Sequence, residues 1–173
     1  MAESLNTENL TAEEQETEVR ETGEQKSGEL QAGSLNREIR DRFRIPARDL
    51  STFSPLTLAF IGDGVYEIII RTLIVDQGNT SPSRLHKQSA HIVKAASQAA
   101  VIDLLEPDLT EEEKDIVRRG RNAKSNTHAK NASVMDYRKA TALEALLGWL
   151  YLKGEDQRIL TLVETGLKKG KFI

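Results

Sequence analysis

Apolar residues recur at helical spacing along most of the chain, and no stretch alternates over six residues in the manner of a strand. From Pro55 the segment LTLAFIGDGVYEIIIRTLIV runs to about Val75, with Ser54 as N-cap, proline at the first helical position and Gln77-Gly78-Asn79 as the stop. Ser81-Pro82-Ser83 opens a second helix, expected to bend or break near Gln88. His91-Ile92-Val93, Ala96, Ala99-Ala100 and Ile102 through Leu105 then form an Ala-rich helical face. Thr110 followed by Glu111, Glu112 and Glu113 is a capping box opening a helix to about Gly120. After the polar stretch RGRNAKSNTHAKNAS, Ser133 or a near neighbour starts a long helix that Gly154 stops, and Glu155 to about Lys169 closes the chain. Pro46, Pro55, Pro82 and Pro107 all fall at punctuation points, and there is no internal repeat. Six or so helices with short connections predict an all-α domain.

Charge divides the chain where the periodicity begins. Residues 1–34 carry nine Glu against Arg20 and Lys26, a net of −7, with no aromatic residue and only scattered Leu5, Leu10, Val19 and Leu30. Burial there cannot offset roughly 1–2 kcal/mol per residue of backbone ordering. Residues 1–34 are therefore expected to be a disordered, solvated acidic tail, and 35–173 the working domain. That domain holds 22 Lys+Arg and 18 Asp+Glu, a net of +4.

The absence of cysteine excludes disulfides, thiolate metal sites and cysteine nucleophiles. His86 and His91 are five apart rather than the four that places two ligands on one helical face, which argues against a histidine metal site. The longest apolar runs are interrupted by Asp63 and Glu144, and the acidic N-terminus lacks the apolar region of a secretory signal. A soluble, cytoplasmic protein with no membrane partner is expected.

Those two interruptions are the most informative positions. Asp63 sits mid-helix among Phe60, Ile61, Val65 and Tyr66, between Gly62 and Gly64. Each helical glycine costs about 1 kcal/mol relative to alanine, so the pair points to another backbone or a ligand close by. Glu67 lies one turn on, on the same face. Glu144 lies within Ala142-Leu143-Glu144-Ala145-Leu146-Leu147-Gly148, again an acid in an apolar run beside a small residue. Two such helices facing each other would make the oxygen-ligand cluster that Mg²⁺ takes, a few carboxylates with retained waters and a substrate phosphate. The alternative is that Asp63 merely pairs with Arg71 or Lys139.

A third feature is basic. Arg118, Arg119, Arg121, Lys124, Lys130, Arg138 and Lys139 stand against the single acid Asp136, interleaved with Asn122, Ser125, Asn126, Thr127, His128 and Asn131. Small donors of this kind bind phosphates and ribose hydroxyls. Lys87 in LHKQSAHIVKAASQA is a candidate to extend the surface; the alternative is a solvated charged face.

LAFIGDGVYEIIIR resembles the signature helix of the ribonuclease III catalytic domain. RGRNAKSNTHAKNASVMDYRKATALEALLGWLYL, with LHKQSAHIVKAASQA before it, resembles the later region of the Mini-ribonuclease III branch, which lacks the double-stranded-RNA-binding domain. The resemblance covers roughly residues 50–165, and the chain ends too soon after it for that accessory domain. It implies an all-α, homodimeric, Mg²⁺-dependent endonuclease that cleaves double-stranded RNA to 5′-phosphate and 3′-hydroxyl ends. The branch's usual substrate is the precursor of 23S ribosomal RNA, which brings in a ribosomal protein on the pre-ribosome as a further partner. The resemblance also makes Asp63 and Glu144 the catalytic and metal-binding acids; Glu67, by its spacing from Asp63, is an additional candidate ligand. Arg118, Arg119, Arg121, Asn122, Lys124, Lys130 and Lys87 become the RNA-binding set. Ala59 and Thr141 stand where the larger enzymes carry Glu and Asp, which implies a wetter metal site. They also favour the alternative of a non-catalytic RNA- or ribosome-binding module.

Overall fold

A computed structural model of the chain describes residues 34–124 and 133–173. The chain divides into two units, Met1–Gly33 and Ser34–Ile173. The expected acidic tail thus lies outside the described residues but for Ser34, and so do Lys130 and its neighbours from 125 to 132.

Seven α-helices build the second unit among the described residues: α1 (Leu35–Arg42), α2 (Pro55–Val75), α3 (Pro82–Val93), α4 (Ala95–Leu105), α5 (Glu111–Arg121), α6 (Val134–Lys153) and α7 (Asp156–Lys169). No strand occurs among these residues, as the periodicity requires. The start signals act as read. The Ser54 hydroxyl accepts from the Thr57 amide at 3.1 Å, and Ser133 does the same for Asp136 at 3.0 Å. Thr110 and Glu113 complete a reciprocal capping box. Gly154 ends α6 in the left-handed region, at φ 81°.

One boundary differs from expectation. The second helix does not break at Gln88; it continues to Val93 and breaks at Lys94, which is extended at ψ 149°. Two side chains beyond the break take up the last carbonyls of α3. The Ser97 hydroxyl donates to the His91 carbonyl at 2.7 Å, and the Gln98 amide donates to that of Val93 at 3.0 Å. With its C-terminal carbonyls satisfied in this way, α3 ends and α4 begins without a turn residue.

The central element is α6. Ala142, Leu143, Ala145, Leu146 and Leu147 are all fully buried, and a helix apolar on every side must be surrounded. Leu58, Tyr66 and Ile70 of α2, Val101, Ile102 and Leu105 of α4, Ile116 and Val117 of α5, and Leu162 and Leu167 of α7 belong to the same cluster. Burying each such aliphatic side chain contributes roughly 1.5–3 kcal/mol before entropy is counted. A polar clamp joins the periphery: buried Glu113 takes two hydrogen bonds from Arg158, at 2.8 and 2.7 Å.

Candidate active site

Two glycines set the geometry of the site. A β-carbon on Gly62 of α2 would lie 1.7 Å from the Glu144 carbonyl oxygen, and one on Gly148 of α6 would lie 2.0 Å from the Leu58 carbonyl oxygen. The two helices therefore touch backbone to backbone, running antiparallel. This answers the question raised by the first of the paired glycines. Around Gly64, by contrast, nothing lies within 4 Å.

The contact brings Asp63 and Glu144 into one electrostatic neighbourhood. Glu144 is largely buried on α6, and its carboxyl is pushed up to about 8, first by burial and then by the Asp63 charge; the Gln98 amide pulls the other way. Asp63 stands at the exposed rim. Its carboxyl is also raised, by partial burial and by Glu67, with Arg71 opposing. The arrangement is a rim carboxylate whose charge disfavours ionisation of a more deeply buried one.

The bases that the simpler reading offered to Asp63 are engaged elsewhere. Arg71 pairs with Glu67, and Lys139 pairs with Asp103 at 2.6 Å. No ion pair to Asp63 forms among the described residues. Glu67, a candidate ligand by its spacing, is turned to Arg71.

Sequence reasoning missed Gln98. Its side chain is 2% exposed, it neighbours Glu144, and its Oε1 is buried without a hydrogen-bond partner among the described residues. A glutamine inside the Ala-rich face of α4 was the signal, of the same kind as an acid inside an apolar helix.

No cluster of three or more His, Cys, Asp or Glu placed to hold a metal occurs among the described residues. Ala59 and Thr141 are both buried, and the Thr141 hydroxyl donates to the Tyr137 carbonyl at 3.0 Å. The donor set is then Asp63, Glu144 and the nearby orphaned amide oxygen of Gln98. A carboxylate that opposes ionisation of its buried neighbour, together with an unsatisfied oxygen, suits a hard cation that keeps most of its waters, so the residues present fit Mg²⁺ with a largely hydrated shell.

The basic residues fall into separate places. Arg118, Arg121 and Asn122 line a groove at the end of α5 with Lys114 and Glu106, and the Arg121 Nε is buried there without a partner among the described residues. Arg118 pairs with Asp115 at 2.5 Å, whereas Arg119 donates to the Phe53 carbonyl at 3.2 Å. Lys124 is exposed just beyond. Lys87 is not brought to this set: it lines a different groove, with Gln77, His91 and Phe172.

Comparison with known proteins follows the same outline. Residues 56–155 match the family model described as the Ribonuclease III domain. The chain is similar to a Mini-ribonuclease 3 of Thermoanaerobacter sp. (strain X514), 52% identical over 117 residues that cover 68% of this chain and 82% of that protein. It is 48% identical to the Mini-ribonuclease 3 of Brevibacillus brevis over 68% of this chain and 87% of that one. The crystal structure of protein FN1578 from Fusobacterium nucleatum superposes with a TM-score of 0.65 at 34% identity, covering 70% of this chain and 99% of that chain.

Proposed function

The chain belongs to the ribonuclease III domain family, among the Mini-ribonuclease 3 proteins, and from that we propose that Asp63 and Glu144 are its catalytic pair. The protein is an endoribonuclease that acts on double-stranded RNA. The observation that carries the assignment is the Gly62–Glu144 contact, which sets an unpaired carboxylate at the rim beside a buried one whose ionisation it opposes.

The proposed cofactor is Mg²⁺, held by Asp63 and Glu144 with Gln98 close by. Bound there, the ion supplies charge neutralisation at the scissile phosphate and a water of lowered pKa for in-line attack. Water oxygen bonds to phosphorus as the bond to the 3′ oxygen breaks, leaving 5′-phosphate and 3′-hydroxyl ends. Asp63, at the rim, is the acid that a duplex reaches first. Glu144 stands deeper, where the α2–α6 contact fixes its backbone. Burial pushes its carboxyl up to about 8, and a cation held there would take the place of its proton. With Ala59 and Thr141 contributing no carboxylate, the site relies on water for its remaining ligands.

The RNA is gripped by Arg118, Arg119, Arg121, Asn122 and Lys124, with Lys130 and Lys87 as further contacts, through phosphates and 2′-hydroxyls of the A-form minor groove. The substrate proposed is the precursor of 23S ribosomal RNA, met in the cytoplasm on a pre-ribosome with a ribosomal protein at hand. The working form proposed is an isologous homodimer across α2. Phe60 is 84% and Ile68 62% exposed on one stripe of that helix, with the open space at Gly64 between them.

Cleavage of a 23S-precursor duplex in Mg²⁺, wild type beside Asp63→Asn, tests the reading. Loss of cleavage in the variant supports it. Cleavage of unrelated duplexes at the same rate and positions would remove the 23S assignment while leaving the enzyme.

A further inference from the structure

The segment from Arg37 to Arg48 is strongly basic, a net of +3 with Glu38 and Asp41 counted. It holds five arginines, of which only Arg37 has an ion-pair partner among the described residues, Asp41 at 3.9 Å. Asp49 is taken up in capping the next turn, accepting from the Ser51 amide at 2.9 Å. Arg40, Arg42, Arg44 and Arg48 make no ion pair among the described residues, and the last three are exposed. Gathering like charges on an ordered scaffold is unfavourable unless an anion arrives.

The scaffold is ordered by the domain. Ser34, at the head of α1, donates to Asp156 of α7 at 3.2 Å, and Asn36 is buried. The chain from Ile45 to Phe53 runs along a groove walled by Ile61 of α2 and Tyr151 and Leu152 of α6. At the end of α1, Arg44 occupies the left-handed region at φ 53°, where the Ile45 amide returns to the Arg40 carbonyl at 2.8 Å. Glycine or asparagine normally fills such a position, and a side chain there costs roughly 1–2 kcal/mol.

We propose that Arg40, Arg42, Arg44 and Arg48 form a second phosphate-binding surface for duplex RNA, carried on the segment whose far end, Phe53, accepts a hydrogen bond from Arg119 of α5. The inference rests on the duplex-RNA reading of the protein and extends its footprint beyond the catalytic face. Guanidinium groups suit phosphates because their fork binds two oxygens at once. Leu35, Ile39 and Phe43 form an exposed stripe on the same helix, so an anionic bilayer is the other polyanion such an element could meet. Eight residues make a helix of only about 12 Å, and the protein's own substrate is a polyanion, which favours RNA.

The test uses the full chain and a short RNA duplex in Ca²⁺, with Kd measured from low to high salt. Arg40→Ala/Arg42→Ala/Arg44→Ala is expected to weaken binding at least about tenfold at low salt. It should also lower the slope of log Kd against log salt by two to three, following roughly 0.9 per phosphate contact. The corresponding triple lysine variant should recover most of the slope. If the triple alanine variant does not fold, as judged by circular dichroism, the exposed single Arg42→Ala takes its place, with a slope change near one. A wild type that binds duplex beside variants with the same Kd and slope overturns this proposal alone, including where the variants lose affinity for phosphatidylserine vesicles. A wild type that binds no duplex overturns the duplex-RNA reading with it.

Discussion

Gly62 and Glu144 meet so closely that a single added carbon on the glycine would lie 1.7 Å from the glutamate's carbonyl oxygen. The obstacle is helix backbone, which cannot swing aside as a side chain does. Gly62→Ala should therefore cost about 3 kcal/mol or more, at or beyond the usual range for overpacking. Gly64→Ala, two residues on and facing open space, should instead stabilise the isolated chain by up to about 1 kcal/mol through helix propensity. Urea unfolding of the two variants side by side measures both. Equal effects would show that the helices are not in backbone contact at Gly62.

Much of this was legible in the sequence. The Ser54, Thr110 and Ser133 caps marked three helix starts because each hydroxyl precedes a periodic run by the spacing a cap needs. The lone acids in apolar helices marked the two positions that the α2–α6 contact brings together. Three things were not legible. The break at Lys94 depends on Ser97 and Gln98 reaching back to carbonyls of the preceding helix, a contact that no local turn signal announces. α1 escaped because its sequence, LNREIRDR, is mostly charged and is held by partners as distant as Asp156. The place of Lys87 was the third: its charge sets it among the bases, and only the fold puts it in a groove apart from that of α5.

Glu144 makes the metal-free protein pH-sensitive. A carboxyl raised on folding from 4.5 to about 8 keeps a proton that the unfolded chain loses. Its contribution is thus favourable at low pH and declines as pH rises from about 4.5 toward about 8. Glu144→Gln should flatten that decline and raise the Tm of metal-free protein at pH 8 by roughly 3 °C or more, about 1 kcal/mol in a domain of this size. The same variant should lose cleavage. Thermal melts at pH 5 and pH 8, with and without Mg²⁺, check this; a wild-type Tm independent of both would contradict it.

Association should depend on the exposed stripe of α2. Phe60 and Ile68 are exposed among the described residues, and a two-fold contact would bury both from each subunit. Sedimentation at micromolar concentration is expected to give a dimer for wild type and a monomer for Ile68→Glu, with unchanged helicity. A monomeric wild type would leave the stripe unexplained and the dimer wrong.

Arg121 should act on affinity. Its partly buried guanidinium lines the α5 groove with Nε unpaired, so Arg121→Ala should weaken duplex binding and lower the salt slope by about one. Binding isotherms at four salt concentrations are sufficient. An unchanged slope would place Arg121 off the RNA.

The central claim is that Asp63 acts in the chemical step beside Glu144 and not as a structural acid. Asp63→Asn keeps the side chain's volume and removes its charge. The direct measurement is duplex cleavage in Mg²⁺ set against duplex binding in Ca²⁺ and against Tm, all on the one variant. Cleavage should fall by at least about a hundredfold, the scale of losing a group that acts in the transition state, while binding holds or tightens and Tm does not fall. Cleavage near the wild-type rate with ordinary metal dependence, or loss of the fold, would contradict the assignment.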